Sequence, residues 1–262
     1  MSIDRSRRIT FEEIADLYDE VRPGYPEELV DDVVALSGIA GNGRILEIGC
    51  GPGNATIPFA RRGYAILAIE LGARLAALAA KNCRPYPQVE ICHTAFEEWA
   101  LTENAFDLAI SADAFHWIEP KTGYPKIAAA LKASGSAALF WNVPANPDTD
   151  WSRAIDAVYQ EIAPQLDNPE KGFTVDWLIG IIKGNFAASG CFAAVDVRQY
   201  AQLETLTGEQ YIKQLRTFSG HRGLDETTRR SLYARILNVI EQFGGSLTKP
   251  QLTVLFHAKV QK

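Results

Sequence analysis

The residues best suited to chemistry lie in one stretch, Arg44-Ile-Leu-Glu-Ile-Gly-Cys-Gly-Pro-Gly-Asn-Ala-Thr56, where an apolar run opens into glycines at 49, 51 and 53. Without Cβ atoms the backbone there can turn tightly and let a ligand approach it. A strand that opens into a helix in this way marks the place where open α/β sheets bind ligands. A dinucleotide loop, G-x-G-x-x-G, seats a pyrophosphate on a helix N-terminus. Here the third glycine comes one residue early and Asn54 takes its place. Glu47, two residues before Gly49, would repel a pyrophosphate and suit a ligand carrying an ammonium group and a sulfonium. Glu70, about twenty residues beyond the loop, ends a second apolar run. An acid there accepts hydrogen bonds from both ribose hydroxyls of an adenosine.

A ribose, an ammonium and a sulfonium together describe S-adenosylmethionine (SAM), and electrostatics favour it over a nicotinamide dinucleotide. The candidate cofactor residues are Glu47, Gly49, Cys50, Gly51, Gly53, Glu70 and Leu71, with Ala95 and Phe96 of His93-Thr-Ala-Phe-Glu97 flanking an adenine. Thr94 or a neighbouring backbone group would read the adenine's polar edge. Tyr18, Arg22 and Tyr25 could close over the cofactor, the arginine meeting a carboxylate and a tyrosine ring facing the sulfonium. His116 is a candidate base or substrate-lining group, and Trp117, Trp141 and Tyr25 are candidates for lining the acceptor pocket. His221 and Arg222, in Ser219-Gly-His-Arg-Gly223, could meet an acidic acceptor.

Those residues need a frame. Short apolar runs alternate with helical patterns through the first half, which argues for a mostly parallel sheet covered by helices. Strands are expected at Arg44–Ile48, Tyr64–Glu70, Val89–Cys92, Phe106–Ser111 and Ala137–Asn142, with helices at Glu27–Ser37, Ala55–Arg62 and Gly72–Cys83. Further helices are expected around Ile155 to Ile162 and at Val175–Ala188, Thr207–Phe218 and Asp225–Phe243, with late strands at Val195–Tyr200 and Thr253–Val260. This gives one domain: a core of about 27–142 and 190–262, an N-terminal lid 1–26, and cap insertions of about 144–190 and 205–245. Aromatics of the cap, Trp151, Tyr159, Phe173, Trp177, Tyr211 and Phe218, suggest an apolar acceptor pocket.

Bulk properties narrow the partners. A formal net charge of -6 gives no general attraction for nucleic acid or an anionic bilayer. No apolar run reaches membrane-spanning length, and the N-terminus lacks a signal peptide's apolar core, so a cytoplasmic protein is expected, acting as monomer or homodimer. Cys50, Cys83, Cys92 and Cys191 are scattered, without the spacing of a metal cluster, and read as packed thiols.

Taken together, Glu47-Ile-Gly-Cys-Gly-Pro-Gly53, Glu70, Phe106-Asp-Leu-Ala-Ile-Ser-Ala-Asp-Ala-Phe-His-Trp117 and Tyr18-Asp-Glu-Val-Arg-Pro-Gly-Tyr-Pro26 resemble the class I SAM-dependent methyltransferases, in particular the small-molecule group that includes trans-aconitate methyltransferase-like proteins. The resemblance implies a doubly wound, Rossmann-like α/β sheet of about seven strands with an antiparallel last strand. One departure is that Thr94 precedes Ala95 where members often carry Asp. Transfer of a methyl group from a sulfonium needs the acceptor held in line in a dry pocket, and a hydroxyl acceptor must lose a proton whereas a carboxylate need not. Two other readings are a SAM-binding module without catalysis and an NAD-dependent oxidoreductase; Glu47 and the displaced glycine disfavour the latter.

Overall fold

Five parallel strands carry the apolar runs: β1 (Arg44–Ile48), β2 (Ala65–Glu70), β3 (Val89–His93), β4 (Phe106–Ala112) and β5 (Leu131–Pro144). Two late strands, β6 (Asp196–Thr207) and β7 (Ser246–Lys259), complete a seven-stranded sheet of order β3-β2-β1-β4-β5-β7-β6, with β7 antiparallel to both neighbours. In this computed structural model the described residues are 14–21, 24–144, 148–166 and 174–261.

Alternation along the strands assigns each side chain to a face. Leu46, Ile48, Leu139 and Phe256 pack on one side; Ile45, Leu108, Phe140 and Leu255 pack on the other. The second side is covered by α2 (Glu27–Ser37) through Leu29, Val30 and Val33, and by α3 (Thr56–Arg61) through Phe59. Helix α2 stops at Gly38, whose φ of 64° places it in the left-handed region that glycine adopts without penalty. The first side is covered by α5 (Pro120–Ala130) and α7 (Val175–Ser189), which bury Tyr124, Ile127, Leu178 and Phe186 together. Helix α7 falls in a stretch expected to be a cap insertion, yet its apolar face belongs to this layer against the sheet.

A third apolar cluster joins α6 (Asp150–Ile162), α8 (Gly208–Leu215) and α10 (Glu226–Gln242) to Leu206 and Leu247 at the outer ends of β6 and β7. Side-chain caps on Thr149, Thr207 and Asp225 fix where these three helices begin, each oxygen accepting an amide three residues on. Within α10, Leu232, Ile236, Val239 and Ile240 are buried as the helical spacing requires, while Phe243 follows the helix and is exposed. Tyr159 and Tyr211, expected to line an acceptor pocket, are fully buried in this cluster.

Short α1 (Ala15–Val21) is tied to α4 (Ala73–Asn82) by an Asp16–Arg74 ion pair and by Asn82 Nδ2 donating to Asp19, and to α8 by Glu20–Lys213. A four-residue helix α9 (Ser219–Arg222) leads into α10. No described helix is long and apolar enough to cross a membrane.

Candidate functional site

From β1 the chain runs to β2 and β3 on one side and then returns to β4 and β5 on the other. Such a reversal opens a crevice between β1 and β4 at their carboxyl ends. A cleft of about 920 Å³, measured out to its solvent mouth, lies there, lined by the turn from Ile48 to Pro52 with Asn54 and Ala55, by Glu70 and Leu71, by Thr94 to Glu97, and by Ala112 to Ala114 with Trp117 and Tyr25.

The glycines shape it. Gly49, Gly51 and Gly53 have φ of 71°, 55° and 101°, which L side chains rarely adopt. A Cβ on Gly49 would stand 2.5 Å from Ala114 Cβ, so this residue lets the loop lie against the end of β4. A Cβ on Gly51 would meet nothing within 4 Å. Glu70 locks the loop to β2: its Oε2 accepts the Gly51 amide and its Oε1 the Gly72 amide, both at 2.8 Å. Ala95 and Phe96 are buried at the cleft wall, and Lys126 Nζ sits 5.3 Å from the Phe96 ring while donating to the Glu97 and Trp99 carbonyls.

Glu47 and Gly53 do not line the cleft. The Glu47 side chain lies in the interior, 1% exposed, beside the Thr56 hydroxyl. Burial raises its carboxyl to about 7; the Thr56 hydroxyl opposes this and the Glu70 charge adds to it. The same burial, with the charges of Glu47 and Glu70, pushes the Cys50 thiol well up, and Cys83 rises to about 11. These are therefore protonated, packed thiols. The open space above Gly51 leaves the glycine turn accessible to a ligand.

His116 is not where its position in sequence suggested. Residues Phe115–Trp117 form a 3₁₀ turn that puts Trp117 on the cleft, while His116 Nδ1 accepts from Trp141 Nε1 at 3.1 Å and the histidine is absent from the lining. Trp141 is buried edge-on against Phe256 and does not reach the cleft either. Tyr25 does line it, with its ring edge-on to Phe140. Its hydroxyl donates to Asp113 Oδ2 at 2.8 Å, and Asp113 Oδ1 accepts the Asn142 amide at 2.9 Å. Asp113 was not singled out from the sequence; it directly follows β4 and adopts φ 50°, unusual outside glycine. The backbone of Tyr18 lies in α1, but its side chain and the whole of Arg22 lie outside the described residues, as does Phe173.

His221 is buried, hydrogen-bonded through Nε2 to the Tyr159 hydroxyl at 3.0 Å and stacked on Tyr233. Burial lowers it to about 4, so it is a neutral core residue and not an anion contact. Among the described residues, no group of three or more His, Cys, Asp or Glu could hold a metal ion.

Residues 45–135, which span the glycine turn, Glu70, the Thr94–Glu97 loop and the β4 end, match the model of the methyltransferase domain. An uncharacterized methyltransferase of Mycobacterium tuberculosis is 30% identical over 139 residues, which is 53% of this chain and 54% of that protein. The chain thus spans about half the length of the curated relatives it matches. Among solved structures, a candidate type II methyltransferase of Anaeromyxobacter dehalogenans aligns with a TM-score of 0.63 at 19% identity, covering 91% of this chain and 96% of that one. Phosphoethanolamine N-methyltransferase 2 of Haemonchus contortus, solved with phosphomonomethylethanolamine and S-adenosylhomocysteine, aligns with a TM-score of 0.57 at 14% identity, covering 99% of this chain and 60% of that one. The matched segment is thus similar to the methyltransferase domain, and the sheet has the fold of these solved methyltransferases.

Proposed function

We propose that this chain binds SAM in the β1–β4 crevice and transfers the methyl group to a small-molecule acceptor. The observation that carries this reading is the Glu70 carboxylate, held at the cleft by the amides of Gly51 and Gly72. It stands where an acid receives both ribose hydroxyls. Ala95, Phe96 and Leu71 would enclose the adenine side, and the Gly49–Gly51 turn would let the methionine portion approach the backbone. When bound, SAM supplies an electrophilic methyl group on a sulfonium. The chain's part is to orient the acceptor and exclude water: Trp117, Ile118 and Tyr25 provide apolar walls on the β4 side. Helix α1, pinned to α4 and α8, would hold the Tyr18, Arg22 and Tyr25 segment over the cofactor as a lid. The layer of α6, α8 and α10 would govern which acceptors enter. The formal charge of -6 supports a small molecule over nucleic acid, and the absence of a spanning helix among the described residues accords with a cytoplasmic protein.

Calorimetry with SAM and S-adenosylhomocysteine tests the reading. Micromolar binding by the wild type, lost in Glu70→Ala and Gly51→Val, is the expected result. A folded wild type that binds neither compound overturns it.

A further inference from the structure

A second groove lies away from the cleft, where Ile14 and Leu17 at the start of α1 meet α10 and the segment that precedes it. Measured out to its solvent mouth it holds about 790 Å³, and it shares no lining residue with the cleft. Arg216, Arg222, Arg229 and Arg230 line it, in a chain whose formal net charge is -6. The acid of the lining, Glu226, pairs with Arg230. Arg216 and Arg229 form no ion pair with any described residue. Both act on Tyr233, a further lining residue: the Arg216 guanidinium lies 5.8 Å from its ring centroid, and the two charges oppose the rise to about 12 that burial imposes on its hydroxyl. That hydroxyl therefore keeps its proton, yet it is buried without a hydrogen-bond partner among the described residues, while the ring stacks on His221. Buried polar groups are as a rule partnered, so an orphan in the wall of a groove that carries positive charge points to a ligand that supplies the partner. Arg229 and Arg230 also sit in the first turns of a 17-residue helix, the end at which the helix dipole favours negative charge, so helix stability does not call for them there.

We propose that this groove is a second ligand site, for a small organic oxyanion: a phosphate or carboxylate head held by Arg216 and Arg229, with Arg222 beside them and the Tyr233 hydroxyl donating, and an apolar body against Ile14 and Leu17. Guanidinium groups present paired N–H donors that match the oxygens of either head. The two leucine-type side chains wall the groove as apolar residues wall small-molecule sites, which a bare inorganic ion would not use. Occupancy requires no cofactor in the cleft, because the two linings are separate.

Calorimetry on the whole chain at low salt, with phenyl phosphate, phenylacetate and phenol as probes, tests the site. At least one of the two anions should bind with a Kd below about 1 mM, and phenol, which has the apolar body without the charge, at least about tenfold more weakly. The tighter anion names the head group. Arg216 is exposed and Arg229 half-buried, so Arg216→Gln and Arg229→Gln should keep the wild-type circular dichroism, and each should weaken that anion at least about tenfold. Arg235→Gln removes the same charge from α10 at a residue that pairs with Glu161 outside the groove, and should leave the affinity within about twofold. Tyr233→Phe should weaken the anion about threefold or more, and wild-type affinity in that variant overturns the part given to the hydroxyl. The site itself is overturned if neither anion binds, if phenol binds as tightly as the anions, or if affinity is unchanged in Arg216→Gln or Arg229→Gln. Equal weakening by Arg235→Gln overturns it as well, by assigning the binding to overall charge.

Discussion

Glu70 Oε2 accepts the Gly51 amide at 2.8 Å, which makes the acid at the end of β2 and the middle glycine of the turn after β1 a single unit. The second oxygen accepts Gly72 at the start of α4, so one carboxylate joins the cofactor turn, a strand end and a helix.

Replacing Glu70 therefore has two separable effects. Glu70→Ala leaves two backbone donors without their acceptors, at a cost of about 1–3 kcal/mol for each one that water does not reach. On the proposed reading it also removes the acceptor for the ribose. Glu70→Gln keeps one carbonyl oxygen and should lose less on both counts. Thermal melts should rank wild type, Gln and Ala in that order, and SAM titrations should show an affinity loss of at least about tenfold for Ala.

The glycines of the turn should differ in what they tolerate. At Gly49 an added methyl collides with Ala114 at 2.5 Å and also meets a positive φ, so Gly49→Ala should be destabilising even without ligand. At Gly51 the space is open and only the backbone penalty applies, about 1–2 kcal/mol. Gly51→Ala should thus melt closer to wild type than Gly49→Ala, while Gly51→Val places its side chain in the cleft and abolishes SAM binding. Equal melting temperatures for the two alanine variants would refute the Ala114 contact as the reason for Gly49.

His221 gives the protein an acid limb. Its folded value, about 4, lies below the ordinary 6.5, so the folded state holds it neutral while the unfolded chain takes up a proton. The resulting stability is fully present above about 6.5 and is lost as pH falls toward 4, on the order of 3 kcal/mol. His257, lowered to about 4 chiefly by burial, contributes with the same sign. His221→Gln should remove roughly half of this slope in urea melts between pH 4 and 6.5. Tyr159→Phe, which strips Nε2 of its partner, should cost about 1–3 kcal/mol at neutral pH.

What was legible in the sequence follows from what each element buries. Strands β1, β2 and β4 are mostly buried on both faces and stand out as runs; β1 and α2 have the bounds their patterns predict. The outer halves of β6 and β7 were missed because they pair with each other and carry Gln202, Glu204 and Lys249 in place of an apolar run. Helix α5 was hidden by Gly123 and Pro125, although Gly123 is there for packing: a Cβ would stand 2.8 Å from the Phe115 ring. Of the cleft lining, the glycine turn and Glu70 are local signals that the sequence displays. Asp113 is not, because its partner Tyr25 is 88 residues away and its left-handed backbone is invisible in a one-dimensional pattern. His116 misled for the converse reason. Its position after β4 suggested a base, but a three-residue turn aims it at Trp141.

Glu47 carries the prediction most easily separated from catalysis. Its carboxyl is raised to about 7 from an ordinary 4.5, so the folded state retains a proton that the unfolded chain gives up. The stability this confers is fully present below about 4.5 and is lost as pH rises through 7, on the order of 3 kcal/mol in all. That slope opposes the one from His221 and His257, so the quantity to measure is the difference between Glu47→Gln and wild type. The gap should change little below pH 4.5, widen in favour of the glutamine variant up to about 7, and then level off. A gap that is constant from pH 4 to 8 would show that Glu47 is ionised throughout and that its charge is compensated within the fold.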